Sequence, residues 1–528
     1  MKGPYGVLVM KTSILSIRQP RAAFNVLFAG MLCAMMTGCN VGPKYAPPTM
    51  TAPAVYKESP TQFKESQEWT VAQPQDAALR GKWWEIYNEP ELNALEDQLN
   101  IDNQNIRQAF ENFMEARALV REARSQLFPT VSIGGSYTRS QSSSTVGSSS
   151  AGSGSSGGAS GVTPGRQSQI FALPADVSWE PDLWGKVRNT VRASQYSAQL
   201  SAADLESERL TEQASLAEYY FEIHGQDALQ KILDDTAAAD KKSVESEKAR
   251  YETGVDDEIS LVEAQTTLAS AQSAAINLGI ARAQYEHAIA MLIGKAASDF
   301  SIPVRPITAV PPPIPIGLPS QLLERRPDVA GAERSMASAN AQIGVARAAY
   351  YPSLTISGSG GVESSAIKNL LDSASRFWSV GPSLSETVYD GGLRRATMNQ
   401  YIATYNANLA AYRQSVITAF QQVEDYLAAV RILSQQIKQQ EEAVASAQRF
   451  LKLEQGRYDL GIDPYIDVMT AETTLLSNQE TLQNLQTQEM TASVELIQAL
   501  GGGWDRSQLP TPAQVTAKPS VAETTIQH

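Results

Sequence analysis

Histidine and cysteine, which often bind metals or catalyse reactions, are few in this chain of 528 residues: it has three histidines and two cysteines. The three histidines, His224, His287 and His528, are too scattered for ligand spacing, and no HExxH or CxxC motif occurs. A GxGxxG match at residues 152–157 lies in a Ser- and Gly-rich segment where no helix is expected to open, so it indicates low complexity. We therefore expect no enzyme, no metal site and no soluble cofactor.

Charged and glycine residues instead recur in a repeated stretch, residues 250–268 (RYETGVDDEISLVEAQTTL) and 457–475 (RYDLGIDPYIDVMTAETTL). Each copy has a glycine suited to the left-handed position that ends a helix, and an aspartate two residues later suited to the N-cap of the next. These residues are Gly254 and Asp256 in the first copy, and Gly461 and Asp463 in the second. Each copy predicts a sharp turn between helices, but only the second has a further acid, Asp467, where the first has Ser260.

Long helices must carry these turns. The helical pattern from residue 185 to about residue 250 corresponds to a helix on the order of 95 Å long, at ~1.5 Å per residue. After each turn, leucine or valine recurs every seven residues, which favours coiled-coil-like packing of the descending and returning helices.

Four segments alternate between apolar and small or polar residues, as strands do. Their apolar positions are Val131, Ile133 and Tyr137; Phe171, Leu173, Ala175, Val177 and Trp179; Leu354, Ile356 and Val362; and Trp378, Val380, Pro382, Leu384 and Val388. No apolar run after residue 40 approaches the ~18 residues of a transmembrane helix, so any membrane crossing must use these strands. Four strands cannot close a barrel, and an open edge is not tolerated in lipid, so several copies must share one barrel.

The N-terminus has the pattern of an export signal, residues 1–38, with basic residues before an apolar run at 22–36. Translation can start at Met1 or at Met10. The run ends in Met36-Thr37-Gly38-Cys39, which resembles a lipobox and predicts a covalent lipid on Cys39; the alternative is ordinary cleavage beside a chance cysteine. Asn40 resembles the residue found there in outer-membrane lipoproteins.

Charge and cysteine content exclude some function classes, and changes in composition along the chain predict its segments. The net charge of −13 makes nucleic acid an unsuitable partner. Cys33 lies in the leader, so the mature chain has no second cysteine for an intrachain disulfide. We predict six segments: a signal peptide (1–38), a proline-punctuated lipidated arm (39–88), a first repeat (89–301), a proline-rich linker (302–319), a second repeat (320–504) and a polar tail (505–528).

Several longer motifs occur in a fixed order: CNVGPKY at 39–45, SWEPDLWGK at 178–186, the segment from ERRPDV to GSGG at 324–361, and VYDGG at 388–392. With these motifs the chain resembles the outer membrane factor, or TolC-like, family, and within it the lipoprotein branch of tripartite RND-type efflux systems. The resemblance covers residues 39 to about 504. It implies a mainly α fold with a β-barrel portion: a homotrimer whose 12 strands, four per chain, form an outer-membrane barrel continued by a periplasmic α-helical barrel.

The resemblance also implies roles for residues of the two turns. The second turn is similar to the gated periplasmic end of the channel, with Asp467 in a constricting acidic ring, Tyr458 tying the closed end and Thr470 where some members have a second aspartate. Asp463 stands where an arginine link occurs in the family. The turn residues Gly254, Asp256, Gly461 and Asp463 are expected to contact a periplasmic adaptor protein. The simpler alternatives are that Asp467 is a carboxylate exposed to solvent, and that Gly254 and Gly461 only end their helices.

The function expected from the sequence is a passive exit duct in the outer membrane for small molecules such as drugs. Its partners would be two further copies of the chain, a periplasmic adaptor, an inner-membrane RND-type transporter and outer-membrane lipid. Two alternatives stay open: a duct for type I protein secretion, and a structural or adhesive coiled-coil lipoprotein, which would need no alternating strands.

Overall fold

The computed structural model describes residues 40–48, 53, 56–58, 81–141, 143, 167–306, 310–314 and 319–518. The predicted signal peptide, the lipidation site Cys39, most of the Ser- and Gly-rich segment and parts of the arm, linker and tail lie outside the described residues. Among the helices of the described ranges, none combines the length and hydropathy required to cross a bilayer.

Nine α-helices account for most of the described chain. In chain order they are α1 Pro90–Asp102, α2 Gln104–Ser125, α3 Lys186–Glu252, α4 Glu258–Leu292, α5 Pro319–Arg325, α6 Pro327–Ala348, α7 Leu393–Asp459, α8 Tyr465–Ala499 and α9 Pro512–Thr516. The long helix predicted from residue 185 is confirmed as α3, with 67 residues, and α7 has the same length. The two helices that follow the turns, α4 and α8, have 35 residues each.

The strands form one antiparallel sheet. They are β1 Thr130–Ile133, β2 Ser136–Gln141, β3 Gln167–Trp179, β4 Ser353–Ser364 and β5 Arg376–Ser385, in the order β1-β3-β4-β5 with β2 also on β3. All four segments predicted as strands are strands, the first in two pieces. Val388 is the exception, because β5 ends three residues before it.

The interruption between β1 and β2 has a local cause in β3. Ile133 pairs with Ala175 and Ser136 pairs with Ala172, so the register is the same on both sides of the gap. Within the gap, the N–H of Gly134 donates to the carbonyl of Pro174 at 3.0 Å. Proline has no N–H to return the bond, so the ladder is broken there without a shift of register.

The sheet register places the predicted apolar residues on one face, because directly paired residues of antiparallel strands point to the same side. One such row runs across all four strand positions: Val131, Val177, Gly358 and Val380. This face is uncovered in the single chain. Trp378 is 81% exposed, and Val131, Val380 and Leu384 are also largely exposed.

Contacts divide the chain into two compact units. The sheet unit comprises residues 40–43 of the described chain with 123–190 and 342–398, and it contains all the strands. The helical unit comprises residues from 44 to 122, 191 to 341 and 399 onwards, and it contains the main hydrophobic core. Trp83 and Trp84 are both buried in that core.

Within the helical unit, α3 and α8 pack closely at Gly225. A Cβ on Gly225 would lie 2.4 Å from the Oγ1 of Thr487, so this contact requires glycine. The arm is held to α7, because the carboxylate of Glu424 accepts hydrogen bonds from the N–H groups of Lys57 and Glu58 at 2.7 and 3.0 Å. The start of the predicted tail is ordered as well: α9 buries Val515.

Candidate functional site

Both repeated stretches form turns of the same geometry. Gly254 has a φ of +72° and Gly461 a φ of +70°, which confirms the left-handed helix ends predicted for them. In each turn the residue after the glycine donates its N–H to a carbonyl of the last helical turn. Val255 donates to Arg250 O at 2.9 Å, and its counterpart Ile462 donates to Arg457 O at 3.0 Å. This is the Schellman hydrogen bond. An added Cβ would meet nothing within 4 Å at either glycine, so backbone conformation selects glycine here.

The predicted N-caps are wrong by one residue in both turns. Helix α4 is capped by Asp257, whose carboxylate accepts from the N–H groups of Ile259 and Ser260, and not by Asp256. Helix α8 has Pro464 at its N-cap and no side-chain cap, so Asp463 is not a cap either. In both cases the carboxylate accepts a hydrogen bond from another side chain instead: Asp256 from Tyr458, and Asp463 from Arg457.

Tyr458 joins the second turn to the first. Its hydroxyl donates to the Oε2 of Glu247 at 2.6 Å and lies 3.1 Å from the Oδ2 of Asp256. The guanidinium of Arg250 lies over its ring, 4.6 Å from the centroid. Burial, together with the hydrogen bond to Glu247, raises the pKa of Tyr458 above its usual range. The phenol therefore stays protonated and acts as a hydrogen-bond donor between two carboxylates.

A second link closes the second turn upon itself. The Nη2 of Arg457 donates to the Oδ1 of Asp463 at 2.8 Å, and its Nε donates to the other carboxylate oxygen. The hydrogen bonds from Arg457 lower the pKa of Asp463. The side chain of Arg457 is about half exposed to solvent, so salt screens the pair and its contribution to stability is small.

Asp467 lies beside this pair. One carboxylate oxygen each from Glu454, Asp463 and Asp467 fall within 4.8 Å of one another, and all three residues are partly buried. Arg457 is the cation that compensates this concentration of negative charge. Such a group of oxygens can attract cations, although exposed acidic groups commonly occur without one.

Thr470 is one helical turn beyond Ile466 on α8 and is exposed. Its hydroxyl donates to the carbonyl of Ile466 at 2.8 Å, so its hydrogen is used within the helix. The side chain lines a shallow groove with other small polar residues of the same helix, among them Thr473, Thr474 and Ser477. The structure thus brings Asp467 near Asp463, and Tyr458 near Asp256. The hydroxyl of Thr470 instead bonds within its own helix, and its side chain lines the groove.

Sequence reasoning missed four residues of this site: Glu247, Arg250, Glu454 and Arg457. Glu247 and Glu454 occupy the same position three residues before the repeated arginine in the two copies. Extending the repeat upstream by these three residues would have identified both acids as candidates. Which acid bonds to Tyr458 could not be read from the repeat, because the two copies are far apart in sequence.

Of the two histidines within the described residues, His224 is buried and packs between helices. His224 is buried against Tyr220, with ring centroids 4.5 Å apart, and its Nδ1 lies 3.3 Å from Asp227. Asp227 in turn accepts from Arg282 at 2.7 Å. These groups hold helices α3 and α4 together.

Comparisons with known proteins identify the family. The family described as outer membrane efflux protein matches residues 95–295 and 318–502. The chain is 28% identical over 481 residues to the probable efflux pump outer membrane protein TtgC of Pseudomonas putida, covering 91% of this chain and 96% of that protein. It is 30% identical to the solvent efflux pump outer membrane protein SrpC of Pseudomonas putida, covering 90% of this chain and 97% of that protein.

Solved structures agree in fold. The outer-membrane channel OprN superimposes with a TM-score of 0.79 at 26% identity, covering 88% of this chain and 100% of that chain. The CmeC outer membrane channel of Campylobacter jejuni also gives 0.79, at 23% identity, over 89% of this chain and 96% of that one. The resemblance found in the sequence is therefore confirmed: this chain belongs to the family of outer membrane efflux proteins, the TolC-like channels.

Proposed function

We propose that this protein is the outer-membrane channel of a tripartite efflux pump, a passive exit duct for small organic molecules. The observation that carries the proposal is the sheet, whose apolar face is exposed in the single chain. Exposing such an apolar face to water is unfavourable, whereas contact with lipid is favourable. Relatives named as efflux pump outer membrane proteins include ones named for toluene, solvents and antibiotics, which supports a substrate class of apolar and amphiphilic small molecules.

The channel in this proposal is a homotrimer. The strands at the two edges of the sheet, β1 with β2 and β5, leave backbone groups unpaired on their outer sides within the described chain. Joining three chains edge to edge pairs these groups and gives a barrel of 12 strands, and the helices continue it as an α-helical barrel. The family model matches two separate ranges of the chain, and α3 and α7 have equal lengths, which supports an internal two-fold repeat. We propose that the six segments predicted from the sequence are the segments of this channel.

The turns form the gate in this proposal. Tyr458 ties the second turn to the first, so this link resists an outward movement of α7 and α8. The pair of Arg457 and Asp463 fixes the shape of the second turn itself. Asp467 contributes the acidic constriction, and Thr470 supplies the polar lining beyond it. In this proposal the channel is not an enzyme and does not itself drive transport.

The outer faces of the same turns are proposed to contact a periplasmic adaptor protein, which connects the channel to an RND-type transporter of the inner membrane. The contact residues are the turn residues Gly254, Asp256, Gly461 and Asp463. Both glycines have open space around them, which supports close approach by another hairpin. Crosslinking from the two turns to the adaptor tests this contact, and failure at both turns would remove it.

The location follows from the family, whose members are outer-membrane proteins. We propose in addition that Cys39 carries a covalent lipid, including a palmitate, after removal of residues 1–38.

Reconstitution into planar bilayers tests the proposed function. A heat-modifiable, SDS-resistant trimer that conducts ions, and that restores drug tolerance to a strain lacking its own channel, is the expected result. A soluble or non-conducting coiled-coil assembly would instead favour a structural lipoprotein. Restored export of a protein substrate without restored drug tolerance would favour a secretion duct.

A further inference from the structure

The first residues of the described chain are held by a pair of asparagines. The Oδ1 of Asn40 accepts a hydrogen bond from the Nδ2 of Asn189 at 2.9 Å and another from the N–H of Gly42 at 3.1 Å. Asn189 lies in the first turn of α3, so two residues that are 149 positions apart in the sequence meet here. The arrangement therefore uses the side-chain oxygen of Asn40 as the acceptor of two hydrogen bonds and the side-chain N–H of Asn189 as a donor.

Three glycines leave the space in which the two asparagines fit. A Cβ on Gly185 would lie 2.8 Å from the Oδ1 of Asn40. A Cβ on Gly42 or on Gly344 would lie 2.9 or 2.6 Å from the Nδ2 of Asn189. Real Cβ atoms do not approach so closely, so any larger residue at these positions would displace an asparagine. We call Asn40, Gly42, Gly185, Asn189 and Gly344 the asparagine socket.

The backbone of Val41 is fixed on both sides of the socket. Its N–H donates to the carbonyl of Trp184 at 3.3 Å, and its carbonyl accepts from the Nη1 of Arg347 at 3.3 Å. The N-terminal segment is thus held by the loop before α3 and by the end of α6. Both holding segments adjoin strands, since β3 ends at Trp179 and β4 begins at Ser353.

Aromatic residues with polar groups surround these strand ends. Trp184 stacks on Tyr351 with ring centroids 4.8 Å apart, and its Nε1 donates to the carbonyl of Pro352 at 2.8 Å. Trp179 donates to the carbonyl of Leu127 at 3.1 Å. Tryptophan and tyrosine with one apolar and one hydrogen-bonded end are typical of the boundary between lipid and water.

We propose that the asparagine socket positions the lipid anchor, so that the acyl chains on Cys39 enter the bilayer leaflet beside these aromatic strand ends. The partner is a lipid surface, and Asn40 and Asn189 are positioning residues. Because residue 39 is bonded directly to Asn40, holding Asn40 limits the anchor to a short radius around the strand ends. The anchor then directs the sheet toward the membrane during insertion, which a flexible tether would not do.

This inference rests on the proposed lipidation of Cys39, and the experiment separates the two. Asn189→Ala removes the hydrogen-bond donor, and Gly344→Ala places a methyl group where Asn189 lies. Gly279→Ala is the matched control, because Gly279 is also within a helix but an added Cβ would meet nothing within 4 Å. Mass spectrometry of the N-terminal peptide reports acylation. A cysteine in place of Val41 reports opening of the socket by its rate of reaction with a maleimide.

In the expected result, all variants are acylated, but Asn189→Ala and Gly344→Ala label at Val41→Cys about fivefold faster than the Gly279→Ala control. They also form SDS-resistant oligomers more slowly in a pulse-chase experiment. Unchanged labelling in both socket variants would show that the socket does not hold the segment. Faster labelling with an unchanged rate of oligomer formation would overturn the positioning role. An unacylated N-terminal peptide in the unaltered protein would overturn the lipidation itself, whatever the labelling rates.

Discussion

The hydroxyl of Tyr458 donates a hydrogen bond of 2.6 Å to the carboxylate of Glu247, a residue that is 2% exposed. The two residues belong to different helix pairs, Glu247 to α3 and Tyr458 to α7. A movement of the second turn away from the first therefore has to break a charge-assisted hydrogen bond and leave a buried carboxylate without its donor.

Replacing Tyr458 by phenylalanine removes this donor and keeps the ring. We expect a loss of stability of about 1–3 kcal/mol and a higher resting conductance in planar bilayers, because the buried Glu247 loses a partner. Tyr251→Phe is the matched control, since Tyr251 is the counterpart in the first copy and is 44% exposed. Equal conductance in the two variants would show that the link does not hold the gate.

Asp467→Ala tests the acidic constriction. Removing one carboxylate of the group formed with Glu454 and Asp463 lowers the attraction for cations, so we expect a higher resting conductance and weaker block by divalent cations. Ser260→Ala changes the equivalent position of the first turn and serves as control. Conductance traces that match those of the unaltered channel, with and without divalent cations, would leave Asp467 as a solvated carboxylate.

Glu472 predicts a pH dependence of stability. Burial, and then the charge of Asp240, raise the pKa of Glu472 from its ordinary value of 4.5 to about 7. The native state therefore binds more protons than the unfolded state between these values, and stability falls as pH rises through this range. Glu472→Gln should stabilise the protein at pH 8 by about 1 kcal/mol, allowing for partial exposure, and have little effect near pH 4.

Thermal dissociation of the oligomer at the two pH values measures this difference. Glu441→Gln, on an exposed part of α7, is the control for loss of a carboxylate in general. A Glu472→Gln variant with the same pH profile as the unaltered protein would contradict the raised pKa.

Gly225→Ala tests the packing of α3 on α8. The new methyl group would lie 2.4 Å from the Oγ1 and 2.9 Å from the Cγ2 of Thr487, so we expect a destabilisation of about 1–3 kcal/mol despite the better helix propensity of alanine. Gly279→Ala in α4 has open space, and there the propensity gain of up to about 1 kcal/mol should appear alone. Opposite signs in thermal unfolding are expected, and a stabilised Gly225→Ala would refute the close contact.

The face of the sheet is tested by two neighbouring arginine substitutions in β5. Val380 pairs with Gly358 on the apolar face, and Ser379 points to the other face. Val380→Arg should cost about 2–4 kcal/mol if this face meets lipid, and reduce the yield of membrane-inserted oligomer. Ser379→Arg should insert normally. Similar yields of the two variants would argue against a lipid-facing row at Val380.

Local patterns in the sequence determined much of this protein. The repeated stretch identified both turns and the left-handed glycines, because a helix end is specified by a few adjacent residues. Alternation identified the strands and the face of each apolar residue, since a strand has a period of two and the register preserves it. The motifs around the strands and turns were sufficient to identify the family.

Tertiary structure decided which side chains meet. Asp256 and Asp463 looked like N-caps in the sequence, but they bond to Tyr458 and Arg457, and the chain caps α4 with the next residue instead. The contact of Tyr458 with Glu247, and that of Asn40 with Asn189, join residues 211 and 149 positions apart. Backbone preferences act over a few residues and can be read directly, whereas such contacts depend on how whole helices pack, and a single sequence does not contain that information in any local pattern.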